Sequence, residues 1–326
     1  MTALPALSTP QTAPVASGEL DSVRAYAQAA RADSTLDTYA KSWRVWTRWC
    51  DARGVTPLPA SAEAVARFAA HEADRGMRPG TIEARLSAVA AYHRAAGHPN
   101  PADSKQVRLV VSGIRRRLDA GDVRRVAPVT VPVLVRVLAA CGDGAAGARD
   151  RCALLLGVAL AARRSELAAL ELRDVEHVDD GLRVTIRRSK TDQEGAGHTL
   201  GVPYGSSPET CPVTAVNEWL AVSATCGTDP NRRLLLRVHR GDRVLPTGVS
   251  GHAIAELVKR AVARAGLDPD EFSGHSLRAG LCTSAAAAGV AEVDIARQSR
   301  HKSIAVLRQY VREQSLFTRN AAGAVL

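Results

Sequence analysis

The chain has 326 residues, 46% of them hydrophobic but only 4% aromatic, and a net charge of +10 at pH 7. That length accommodates two domains with cores built mainly from Ala, Val and Leu, and so basic a surface favours a polyanion, nucleic acid before membrane, with a merely arginine-rich composition as the bland alternative. The longest apolar runs, such as residues 152–162, fall far short of the ~18 residues a membrane span needs, and no basic stretch leads into an apolar one at the N-terminus, which argues against a signal peptide and for a cytoplasmic protein.

Residues 1–17 are Ala, Pro, Thr and Ser without periodicity, a disordered tail by composition. Residues 18–118 are helical in pattern throughout. Ser34 and Asp37 have capping-box spacing, and Tyr39, Trp43, Trp46 and Cys50 follow as one apolar stripe. Ser61 starts a second helix carrying Val65 and Phe68, Thr81 a third with Ile82, Leu86 and Val89, and a fourth runs from about Ser104 to Leu118 with Val107, Val111 and Ile114 on one side. Such short helices make one compact bundle. Residues 119–129, with Asp-Ala-Gly-Asp, two arginines and Pro128, break the pattern as an interdomain linker would.

A second domain over residues 130–326 opens with a helix capped by Thr130 and carrying Leu134, Val135 and Leu138, then a very apolar helix at roughly Asp150 to Ala162. Leu182, Val184 and Ile186 alternate with Arg183, Thr185 and Arg187, a strand signal; residues 189–197 form a polar turn and 198–202 return as the partner strand. Helices follow at about 212–224, 249–265, 276–288, 292–299 and 303–313. The expected fold is mainly α: a helical bundle plus a mostly helical domain with one small antiparallel sheet.

The chemistry-bearing residues are individually ordinary. His275 and Arg278, three apart at a helix start, share one side, and Gly274 before them permits a sharp turn; the pair alone is as consistent with a solvated surface. Arg163 follows the apolar helix and precedes Ser165, a plausible cap for the next, so its side chain would project rigidly from a joint between buried helices. Lys190 lies at the hairpin tip in Arg-Ser-Lys-Thr-Asp. His301 lies nine residues before Tyr310, on a helix capped by Ser303. Tyrosine, with a pKa of about 10, is a poor nucleophile unless basic neighbours surround it. The six cysteines (Cys50, Cys141, Cys152, Cys211, Cys226 and Cys282) form no C-x-x-C pair, which points to reduced thiols and no zinc or other metal site; no cofactor is expected.

Jointly, Arg163, Lys190, His275, Arg278, His301 and Tyr310, in that order, resemble the catalytic set of the tyrosine recombinases, or phage integrases. Thr81-Ile82, Leu86, Tyr92-His93-Arg94, Gly97 and the Asn100-Pro101-x-Asp103-Ser104 run look like the core-binding domain of that family. Two departures stand out: Gln298-Ser299-Arg300 precedes His301 where many relatives carry Leu-Gly, and Arg164 replaces a usually apolar residue. The resemblance implies attack by Tyr310 on a DNA phosphate, leaving a 3′-phosphotyrosine and a free 5′ hydroxyl without metal or ATP. Arg163 and Arg278 would clamp the phosphate, His301 would add a hydrogen bond, His275 would take the tyrosine proton and Lys190 would protonate the leaving oxygen. Glu166 and Asp174 read as buried supports. The partners implied are double-stranded DNA target sites bound by a homo-tetramer on two sites, the tail from Ser315 to Leu326 docking on a neighbour. Lys41, Arg44, Arg48, Arg94, Arg115, Arg116 and Arg117 are candidate phosphate contacts. The helix from Ser250 to Ala265, with His252 near its start, is either a major-groove reader or a helix packed on the core by Ile254, Leu257 and Val258. Type IB topoisomerase chemistry and a non-cleaving DNA-binding factor are the competing readings.

Overall fold

The computed structural model describes residues 33–118, 126–187, 197–301, 303–305 and 307–308. The chain divides into two compact units, with the boundary between Val123 and Arg124.

The first unit is four helices, α1 (Asp33–Asp51), α2 (Ala62–Asp74), α3 (Pro79–Ala95) and α4 (Lys105–Leu118). The stripe on α1 faces inward: Trp46 is fully buried, donates from Nε1 to the Pro57 carbonyl at 3.0 Å, and meets Phe68 of α2 edge-on at 5.1 Å. Trp43 stacks flat on Tyr92 of α3 at 4.2 Å. The buried His93 is structural. Its Nε2 accepts from the Ala60 N–H at 2.8 Å, so Nδ1 carries the proton given to the Val89 carbonyl at 2.8 Å. Ser61 and Ser104 cap α2 and α4 as expected, accepting from the Ala64 and Val107 N–H groups. Two expected starts are corrected. Helix α3 begins at Pro79, whose fixed φ suits a first helical position, so Thr81 is already inside it; α1 includes Asp33, so Ser34 is not its cap.

The second unit is built round α6. The extended segment 127–129 lies on the element that carries the site: the Val129 N–H donates to the Ser276 carbonyl at 2.9 Å, and a Cβ on Gly280 would sit 2.0 Å from the Val129 oxygen. Helix α5 (Val131–Ala139) precedes α6 (Gly144–Ala159), which starts six residues before Asp150. Its cap comes from far along the chain. The Asp242 carboxylate accepts from the Ala145 and Ala146 N–H groups at 2.7 and 2.9 Å. Helix α6 is buried on all sides through Cys152, Ala153, Leu154, Leu155, Leu156 and Val158, which is why its sequence shows no polar stripe.

After the short α7 (Arg164–Ala169) come β1 (Val175–Val178), β2 (Gly181–Ile186) and β3 (His198–Pro203), an antiparallel meander pairing Leu182 with Val202 and Val184 with Leu200. Helix α8 (Pro212–Ser223) buries Trp219, whose Nε1 donates to the Leu234 carbonyl at 2.7 Å. A second sheet pairs β4 (Leu236–Val238) with β5 (Val244–Gly248), and α9 (Gly251–Arg264), α10 (Ser276–Ala287) and α11 (Glu292–Ser299) complete the described elements. Leu277 of α10 packs so closely over Gly157 of α6 that a Cβ there would meet its methyl at 2.6 Å. This contact brings the start of α10 against the end of α6. No described helix is long and apolar enough to cross a membrane.

Candidate active site

The site is organised by the turn at residues 160–163. Helix α6 closes with Ala161 in the left-handed region at φ 44°, and the turn presents two adjacent carbonyl oxygens to two buried guanidinium groups. Arg278 donates from Nη1 to the Ala161 oxygen at 2.9 Å, and Arg300 from Nη1 to the Leu160 oxygen at 3.0 Å. Arg163 itself stands at the N-cap of α7. Its backbone N–H donates to Glu166 Oε2 at 2.9 Å and its Nη1 to Oε1 at 2.6 Å, so the same carboxylate fixes both ends of the residue. Glu166, not the exposed Ser165, is therefore the partner that closes the first turn of α7, a correction to the expected cap. The second oxygen of Glu166 also accepts from Arg300 Nη2 at 2.8 Å, both side chains being almost fully buried.

Arg278 is 1% exposed, and its Nη2 has no hydrogen-bond partner among the described residues. Burial first, then the positive fields of Arg163 and Arg300, lower its pKa to about 10, so it stays charged at neutral pH. A buried guanidinium with an unused donor marks a place for an anion.

His275 precedes α10. Although its outer edge meets solvent, crowding by the protein, then Arg278 and Arg163, lower its pKa. Gly274 needs no left-handed backbone here. A Cβ would meet the Arg164 side chain at 3.0 Å, so the requirement is space rather than a sharp turn, and the exposed Arg164 lies across it. His301 follows α11, whose C-cap Arg300 is left-handed (φ 57°, ψ 42°). Burial pushes the His301 pKa down to about 4, reinforced by Arg278, Arg163, His275 and Arg300 in that order. Its Nδ1 lies 2.6 Å from Ser299 Oγ, which donates to the Ile295 carbonyl at 2.5 Å. A hydroxyl has one proton, so Ser299 accepts from Nδ1–H, and the imidazole is neutral. The four expected cation or proton carriers among the described residues, Arg163, His275, Arg278 and His301, thus lie within electrostatic reach of one another. Lys190 and Tyr310 fall outside the described residues.

Both expected supports are buried. Asp174 accepts from the Glu171 N–H at 2.8 Å and pairs with Arg187 at 3.1 Å, and Glu171 also holds Arg187 at 2.7 Å. Arg187 follows directly on the last residue of β2, so this cluster anchors the loop end of the β2–β3 pair. Lys41, Arg44, Arg48, Arg94, Arg115, Arg116 and Arg117 are all exposed, with Arg115 paired to Glu83 at 2.5 Å. Of the two readings of α9, the core-packed one is seen: Ile254, Leu257 and Val258 are buried, and His252 is exposed. Sequence reading missed Arg300 and Ser299 as members of the site. The signal was present, two polar residues immediately before His301 where the resemblance led one to expect Leu-Gly, but nothing local indicated their partners. No cluster suited to a metal ion occurs among the described residues.

The sequence pattern of the phage integrase family matches residues 129–316. The chain is 36% identical over 299 residues to an integrase/recombinase XerD homolog of Selenomonas ruminantium, covering 89% of this chain and 85% of that one. It is 28% identical over 284 residues to the recombinase Cre of Escherichia phage P1, covering 82% and 81%. In fold it is similar to lambda integrase as solved in a tetramer bound to a Holliday junction, with a TM-score of 0.58, 17% identity, and coverage of 90% of this chain and 76% of that one.

Proposed function

We propose, from the premise that this chain belongs to the phage integrase family, the tyrosine recombinases, that it is a site-specific DNA recombinase in which Tyr310 attacks a scissile phosphate held by Arg163 and Arg278. One observation carries the assignment of roles: two guanidinium and two imidazole groups from three separate segments gather at the turn after α6, with Arg278 Nη2 unpartnered among the described residues.

The chemistry follows from the charges. Attack by the Tyr310 oxygen builds negative charge on the non-bridging phosphate oxygens, and fixed cations in a water-poor site stabilise it without reorganising. With Glu166 balancing one of Arg163, Arg278 and Arg300, two positive charges remain for the phosphate. The phenol must lose its proton. His275, neutral at neutral pH because its pKa is lowered, can accept it. His301 presents Nε2 as a donor once that nitrogen is protonated, which an incoming phosphate favours by its negative charge. The P–O5′ bond breaks, Lys190 gives a proton to the leaving oxygen, and the phosphotyrosine retains the bond energy for attack by the 5′ hydroxyl of a second duplex. Two duplexes cut on both strands require four active sites, hence a homo-tetramer on two double-stranded DNA sites. The likeness to lambda integrase, solved as a tetramer on a Holliday junction, supports this assembly. The exposed cations of the first unit supply phosphate contacts that set grip and register.

The test uses nicked duplexes carrying candidate sites from the DNA flanking the gene. Wild type is expected to leave a covalent protein–DNA adduct on a denaturing gel, and Tyr310→Phe none. Absence of the adduct with wild type on every flanking site, or relaxation of any supercoiled plasmid without strand exchange, overturns the reading.

A further inference from the structure

We infer that Arg300 is a positioning residue for the catalytic arginine: by holding one oxygen of Glu166 it fixes the carboxylate that aims Arg163. The inference rests on the function proposed above.

Two costs converge on this position. Arg300 adopts φ 57°, ψ 42°, a conformation that glycine enters freely and other L-residues only with strain. Its guanidinium is also buried, with the side chain 3% exposed and Nε unpartnered among the described residues. A helix end needing only a left-handed cap would be better served by glycine.

What offsets these costs is specific geometry. Glu166 Oε2 accepts from two donors, the Arg163 backbone N–H at 2.9 Å and Arg300 Nη2 at 2.8 Å, and Oε1 accepts from Arg163 Nη1 at 2.6 Å. Arg300 Nη1 is tied to the Leu160 oxygen at 3.0 Å, beside the Ala161 oxygen that holds Arg278. Arg300 therefore spans the turn and the carboxylate, and the plane of that carboxylate sets the direction of the Arg163 fork. Without Arg300, Glu166 keeps one backbone donor and can rotate about its terminal torsion, taking Arg163 with it. The positive charge of Arg300, felt also by Arg278 and His301, is offset by the paired Glu166, so the effect of Arg300 runs through that carboxylate. Among the described residues the Arg300 guanidinium donates to Glu166 and to the Leu160 and Gln298 oxygens, which makes it a positioning group rather than a catalytic one.

The experiment measures single-turnover cleavage of a nicked duplex at saturating full-length protein, alongside DNA affinity and thermal melting, for Arg300→Gly, Arg300→Lys, Glu166→Gln and the double variant Arg300→Gly/Glu166→Gln. Arg300→Gly relieves the backbone strain and is expected to bind DNA like wild type while cleaving at least about tenfold more slowly, a loss of about 1.4 kcal/mol of transition-state stabilisation. Millimolar guanidinium is expected to restore part of the rate by refilling the site, which it would not do for a mere folding defect. The double variant is expected to cleave no more slowly than Glu166→Gln alone, since both act through one carboxylate. Arg300→Lys keeps the charge but cannot span Glu166 and Leu160 with a planar fork, so it is expected to fold and to cleave more slowly than wild type. Cleavage by Arg300→Lys and by any folded Arg300→Gly within twofold of wild type overturns the inference, as do additive losses in the double variant. If wild type forms no adduct at all, the proposed function fails instead, so the two failures are separable.

Discussion

Replacing Glu166 by Gln tests how much of the second unit's stability is concentrated at the turn after α6. The substitution keeps the shape of the side chain and one acceptor oxygen but removes the only charge compensating Arg163 and Arg300 among the described residues. The Glu166 and Arg300 side chains are 2% and 3% exposed, so neither finds water when the pair is broken. Removing one partner of a buried ion pair costs about 3–5 kcal/mol, because the other charge is left stranded. For a unit of some 200 residues this lowers the melting temperature by roughly 6–20 °C. A control lies one helix away. Arg297 and Asp294 also meet at 2.8 Å, but their side chains are 78% and 45% exposed. Asp294→Asn should change stability by no more than about 0.5 kcal/mol. Differential scanning calorimetry of the two variants checks the comparison. A Glu166→Gln transition within about 2 °C of wild type refutes the reasoning, because it requires water or an alternative anion to reach a site that burial closes.

Two further outcomes follow from charge. The folded pKa of His301, about 4, lies below its ordinary 6.5, so the unfolded chain binds the proton more readily. The stability this neutral histidine contributes is full above pH 6.5 and is lost as pH falls from 6.5 to 4, up to about 3 kcal/mol; His275 shifts in the same direction. His301→Gln should flatten the acid limb of a stability–pH curve measured by urea denaturation, and an unchanged limb contradicts the assignment. On α1, Lys41, Arg44 and Arg48 are exposed at helical spacing. Replacing all three by Gln should weaken DNA binding alike on specific and random sequence and reduce the slope of log K against log salt by about 0.9 for each phosphate no longer neutralised. An unchanged slope removes this face from the DNA interface.

The first unit was legible because its helices obey a simple rule. The apolar stripe on α1 buries Trp46 and Cys50, and the serines before α2 and α4 cap them with their own side chains. The late helices of the second unit were legible for the same reason, α10 and α11 falling close to the expected limits. What stayed hidden depends on partners distant in sequence. Helix α6 begins early because Asp242, nearly a hundred residues away, satisfies its first N–H groups. Strand β1 and the β4–β5 pair are short, and β1 reads Val-Glu-His-Val, half polar, because it carries the edge of its sheet. The order of Arg163, His275, Arg278 and His301 suggested a common site, but not what would hold the arginines still.

That last question has a physical answer in the turn itself. An active site of this type must keep several like charges within a few ångströms of one another before any substrate arrives, a state that repulsion and desolvation both oppose. Here the opposing terms are met locally. The carbonyl oxygens of Leu160 and Ala161, aligned by the left-handed Ala161, each take one guanidinium, and a single carboxylate, Glu166, takes the charge of two. The compensation is incomplete, since two positive charges and one donor on Arg278 remain among the described groups. Under the proposed function, that residual imbalance is what a DNA phosphate would relieve on binding. Adding a second carboxylate beside Arg278 would stabilise the empty protein and compete with the phosphate, so stability and activity must pull in opposite directions at this turn.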